Sequence, residues 1–267
     1  MQGVQVENYR FTIKQHVFPV KSIEQHYSRK NVVQLFDKRR QSLFPAKSNN
    51  NLFTVNRVWD ERAEKHIGKP IEDEFQRLTS RILAGKIKRL GIFESELVSR
   101  FWSLWRTRNF FKVEGLPDVR AKGITGDSLT EQQRIALEAK GVMYVGDDGV
   151  MPGRFLAGIH IVRFFDSLMT DQPNTTWGIV HTSEGELIVP DTFGENMVVP
   201  LTPKVLLIAN APDCHLTPDE LALINREAIC SAQDFYFARN FSQCPVITSA
   251  RPPFRMTRPG DINNQVR

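Results

Sequence analysis

The stretch from 187 to 210, LIVPDTFGENMVVPLTPKVLLIAN, constrains this chain more than any other. Two apolar runs rich in Val, Ile and Leu flank a tight segment that carries Asp191. Runs of that composition and length read as strands, and they need partners in a sheet. Pro200 and Pro203 interrupt the second run, so that piece belongs at a sheet edge or bends around a site. The preceding TTWGIVHT and ELIVP, separated by a turn at Ser183 to Gly185, extend the same strand-rich region.

Other segments carry helical signals. Ile71, Phe75, Leu78 and Ile82 recur at helical spacing behind Pro70. Glu72, Asp73 and Glu74 fall in that helix's first turn, where the dipole favours acids by ~0.3 to 1 kcal/mol. Phe93, Leu97, Phe101, Leu104 and Trp105 describe one apolar face of a second helix. Ser128 with Glu131 forms a capping-box pattern for a third, and Phe155, Ile159, Val162 and Phe165 mark a fourth. Thr217-Pro218-Asp219-Glu220 combines a cap, a proline and a capping-box acid at the start of a fifth. Near the N-terminus, NVVQLFDKRRQSLFPAKS reads as a hairpin with Lys38, Arg39 and Arg40 at its turn. GVMYVGDDGVMPGRF suggests two short strands around Asp148-Gly149.

With 41% hydrophobic residues, 18 Phe and 4 Trp in 267 residues, the chain can bury a substantial core. Cys214, Cys230 and Cys244 are odd in number and contain no CxxC pair, which argues against a disulfide framework or a zinc ribbon. No secretory leader and no apolar run of roughly 18 residues is visible, so the expectation is a cytoplasmic protein with no membrane partner. These readings predict an α+β protein in which a helical, basic N-terminal part packs with a mixed or antiparallel sheet in the C-terminal part. One globular unit is expected over 1–247, with a candidate subdomain boundary near 115–128, and an extended or disordered tail over 248–267.

The formal charge of +5 conceals an asymmetry. Residues 1–120 hold 23 Lys and Arg against 13 Asp and Glu, and residues 121–267 hold 12 against 17. A basic segment of that kind attracts phosphate backbones by counterion release, although it also suits an ordinary solvated surface. The candidate nucleic-acid contacts are Lys38, Arg39, Arg40, Lys86, Lys88, Arg89, Arg106 and Arg108. Aromatic residues such as Phe101, Trp102, Trp105, Phe110 and Phe111 lie among them and can stack on bases or fill a core.

Four pieces together resemble a family catalogued only as domain of unknown function 4238. They are QHVFPVKSIEQHYSRKNVVQLFDK, the acidic helix around Glu72, LIVPDTFGENMVVPLTPKVLLIA and INREAICSAQDFYFARNF. The resemblance runs over about residues 14 to 247 and places His16 in the opening motif. It sets Asp191 at the end of a strand, Pro200-Leu201-Thr202-Pro203 in the next strand, and Asn225 on a later helix. Val17 replaces the family's usual Tyr, and Pro190-Asp191-Thr192-Phe193 replaces its Ser-Asp-Asn-Pro. No activity comes with the family.

His16, Glu72 and Asp191, completed by Asn225, are the candidate catalytic set, because an imidazole with two carboxylates can hold Mg or Mn and orient water for phosphodiester cleavage. The same residues have structural readings: Glu72 opens a helix, and Asp191 can accept backbone N–H groups in its turn. A metal-dependent nuclease therefore stands beside a non-enzymatic nucleic-acid- or protein-binding module. Elsewhere His66 makes no HExxH pair, His215 beside Cys214 lacks further ligands, and Ser183 lacks a nucleophile-elbow context.

Overall fold

Pro19, its ring fixing φ at −60°, separates β1 (Lys14–His16) from α1 (Val20–Glu24). The computed structural model describes residues 12–113 and 115–247, and the tail expected over 248–267 lies outside them. The basic turn closes the expected hairpin, with β2 (Val33–Asp37) antiparallel to β3 (Ser42–Ala46). A short β4 (Thr54–Asn56) pairs with β1.

A π-helical stretch, Arg62–Gly68, runs straight into α2 (Lys69–Leu83), whose Ile71, Phe75, Leu78 and Ile82 face inward as their spacing predicts. In α3 (Ile92–Val113) the single apolar face is not what forms. Phe101, Trp102, Leu104 and Trp105 are buried, and so are Ser95, Ser99, Ser103 and Thr107, so the helix is enclosed on most sides. Phe93, expected inside, is 85% exposed at its start.

β5 (Val119–Arg120) pairs with β6 (Val150–Met151), so the sequence around Asp148-Gly149 does not fold as a hairpin of its own. Between them lies α4 (Glu131–Ala139), capped by Thr130 with Gln133 and not by Ser128 with Glu131. Both pairs fit a capping box, and the one adjoining the helix is the one used. α5 (Gly153–Thr170) follows and packs on α3.

The C-terminal region contains β7 (Trp177–Thr182), β8 (Val189–Pro190), β9 (Val198–Thr202), β10 (Val205–Ala209), β11 (Cys214–Leu216), α6 (Pro218–Ser231) and β12 (Phe235–Ala238). One sheet has the order β11-β7-β10-β9, antiparallel except for the parallel pair β11–β7. β9 is its edge, where Pro200 is tolerated, and Pro203 stands in the turn to β10. The other sheet runs β3-β2-β12-β8. It corrects the expected division of the chain: the fold is α+β, but strands occur throughout, and the N-terminal hairpin shares a sheet with the C-terminal β12 and β8. Leu35 pairs with Phe237, far apart in sequence, and buried side chains from Val17 to Ala238 form one continuous core. Among the described residues no helix is long and apolar enough to cross a membrane.

Candidate functional site

His16 and Glu72 meet at a residue assigned by sequence to the surface. Arg108, on α3, is buried to 2% exposure. Its Nη1 donates to Glu72 Oε1 and, at 3.3 Å, to the His16 carbonyl oxygen. Its Nη2 donates to Glu64 Oε2 at 3.1 Å. The π-helical stretch delivers Glu64, the first turn of α2 delivers Glu72, and the indole of Trp59 lies 5.5 Å from the guanidinium carbon while its Nε1 donates to Glu64 at 2.7 Å. Burial pushes the Glu72 carboxyl above its usual range, against Arg108 and with the help of Glu64. Burial also opposes the Arg108 charge, but the two carboxylates outweigh it and hold that guanidinium protonated. The His16 ring turns elsewhere: Nε2 donates to the Ser48 carbonyl at 3.1 Å. This is one cation shared by two acids, a strut joining β1, α2 and α3.

Asp191 lies beside the next turn of α3. Its Oδ1 accepts from Gln233 N and its Oδ2 from Asp234 N, both at 2.8 Å. Burial raises its carboxyl above the usual range, against those two N–H groups and the nearby Lys112 ammonium. Lys112, four residues beyond Arg108, pairs with Asp234 at 3.1 Å. The Asn225 side chain accepts from Ile188 N and donates to the Glu186 and Pro245 carbonyls, at 2.8, 2.9 and 3.0 Å. Glu72, Asp191 and Asn225 are thus each engaged inside the fold. Among the described residues no group of three or more His, Cys, Asp and Glu side chains is arranged to hold a metal ion.

The basic residues divide sharply. Lys38 donates to the Ile229 and Ala232 carbonyls at the end of α6, where an ammonium meets the negative end of the helix dipole. Arg39 pairs with Asp234 at 2.7 Å, and Arg40 lies 3.8 Å from Asp37. Arg106 pairs with Glu195 and lies over the rings of Trp102 and Phe164. Lys86, Lys88 and Arg89 differ: all three are exposed in the α2–α3 connection, with no ion pair among the described residues. Immediately after them Ile92 and Phe93 are 84% and 85% exposed, so this connection presents cations beside an accessible aromatic ring.

Exposed Arg77 and Arg81 continue the basic surface along α2. Phe93, Arg77, Arg81 and Arg100 line the groove between α2 and α3, which also contains Glu74, Glu94 and Glu96. The aromatic residues proposed from sequence for stacking are mostly core: Phe101, Trp102, Trp105 and Phe111 are buried, and Phe110 is partly exposed. Sequence reasoning missed Glu64, Trp59 and Lys112. The Arg108–Lys112 spacing of four residues was a usable signal for Lys112. It also missed the exposure of Ile92 and Phe93, which Gly91 and the basic run before it could have suggested. Comparison with protein families, curated proteins and solved structures finds no match for this chain.

Proposed function

We propose that this protein is a non-enzymatic binding module for single-stranded nucleic acid, engaged through the connection between α2 and α3. The observation that carries the reading is the juxtaposition of Lys86, Lys88 and Arg89, free of ion pairs among the described residues, with the exposed Phe93 ring. Cations of this kind attract a phosphate backbone, and an accessible aromatic ring stacks on any base. A single strand suits the site because its bases are free to leave the stack. The neighbouring groove mixes Arg77, Arg81 and Arg100 with Glu74, Glu94 and Glu96, so the unopposed positive charge is at the tip; Glu94 is turned back to accept from Gly91 N at 3.2 Å. Membership of the family resembled above is part of the proposal and adds no activity to it.

Fluorescence anisotropy with labelled single-stranded DNA, single-stranded RNA and duplex DNA tests the reading. Saturable binding of single strands is expected, weakened by roughly 5-fold or more in Phe93→Ala, as loss of a base-stacking contact implies. Absence of binding to every nucleic acid, or binding indifferent to Phe93→Ala, contradicts it. Capture of anionic lipid vesicles without nucleic-acid binding contradicts it equally.

A further inference from the structure

The sheet β11-β7-β10-β9 brings together two histidines that the sequence separates. Because β11 runs parallel to β7, His215 stands directly opposite His181. Paired residues on neighbouring strands share a face, so the two rings are neighbours: their centroids are 5.3 Å apart with 26° between their planes. His215 is exposed and His181 half-buried, so the pair is reached from solvent. Trp177 and Ile179, earlier on the same face of β7, are buried and hold that strand in place. β11 is held in register by Asp213, whose Oδ1 accepts from Ile179 N at 2.8 Å, and by Ser183, which donates to the Leu216 carbonyl at 3.2 Å.

We propose that His181 and His215 form a two-imidazole site for a divalent transition-metal ion of the Cu, Ni or Zn class. Neutral imidazole suits these ions, and metal–nitrogen bonds of about 2.0 to 2.1 Å let one ion bridge two rings on adjacent strands. Acids flank His215 in the chain: Asp213 immediately before β11, and Asp219 and Glu220 in the first turn of α6. Cys214 precedes His215 on a strand and points to the opposite face, so it is not a third ligand. Two protein ligands leave the remaining coordination positions to water or an exogenous ligand.

Isothermal titration of the full chain with Ni²⁺ and Zn²⁺, in a Cys230→Ser background that removes the exposed thiol, tests the site. One ion per chain is expected, with affinity reduced by at least roughly 10-fold in His181→Asn and in His215→Asn. Proton NMR of the imidazoles provides a second reading that needs no variant: two histidines should shift or broaden together at the first equivalent of metal. Failure to bind, an affinity indifferent to both substitutions, or perturbation of one imidazole alone overturns the proposal.

Discussion

Gly68 faces the guanidinium of Arg108 so closely that a Cβ at that position would lie 2.2 Å from Nη2. The π-helical stretch ends at this contact, and α2 begins there with Glu72 one turn on. Gly68→Ala should therefore displace Arg108 from Glu64 and Glu72 and destabilise the fold by about 2 to 4 kcal/mol, while Arg108→Met, which leaves both carboxylates buried without their cation, should cost about 3 to 5 kcal/mol. Urea denaturation of the two variants checks both values. A Gly68→Ala protein as stable as wild type would show that the guanidinium is not held where described.

Asp191 accepts two backbone N–H groups from the residues that lead into β12. Asp191→Asn retains one acceptor and turns an amide toward the other N–H, so a loss of about 1 to 3 kcal/mol is expected. The same variant decides the expectation of a metal-dependent nuclease. If the wild type cleaves nucleic acid with Mn²⁺ or Mg²⁺ and Asp191→Asn retains its stability but loses cleavage, Asp191 acts in chemistry and the binding-module reading fails. The binding-module reading expects no turnover by either protein, with a lower melting temperature in the variant.

His26 gives the fold a pH dependence of definite sign. It is fully buried, its Nδ1 donates to the Ser22 carbonyl at 3.0 Å, and its ring meets the edge of Phe237 at 5.6 Å between centroids. Burial lowers its pKa from 6.5 to about 4. The unfolded chain then binds this proton at higher pH than the folded one. The contribution to stability is fully present above pH 6.5 and is lost as the pH falls toward about 4, by roughly 3 kcal/mol in total. Asp60, Glu72 and Asp191, raised by burial, act with the opposite sign. The difference between wild type and His26→Leu isolates the histidine. Between about pH 7.5 and about pH 4.5 the wild type should lose about 2 to 3 kcal/mol relative to the variant, and a difference independent of pH contradicts the assignment.

Local signals were legible where local physics decides. The apolar spacing from Ile71 to Ile82 and the Thr217–Glu220 capping box each define a helix without help from the rest of the chain, and both form where expected. The β2–β3 hairpin is equally local. What sequence could not show is pairing across long separations. Nothing near Leu35 announces Phe237, and nothing near Glu64 announces Arg108. Arg108 in particular reads as a surface cation by composition, and only the convergence of two acids makes its burial tolerable. Phe93 fails in the opposite direction: its spacing fits the inner face of α3, but the helix begins before the core does. The basic list inherited the same ambiguity, because Lys38 and Lys86 look alike until the end of α6 is placed beside one of them.

The salt dependence of single-strand binding tests the central claim most directly. Each phosphate contact adds about 0.7 to the slope of log K against log salt for a single strand, so replacing Lys86, Lys88 and Arg89 together by Ala should weaken binding and reduce the magnitude of that slope by about 2. The three side chains are exposed, so the variant should unfold at the wild-type temperature. A wild-type slope that the triple substitution leaves unchanged would contradict the assignment of this connection as the nucleic-acid interface.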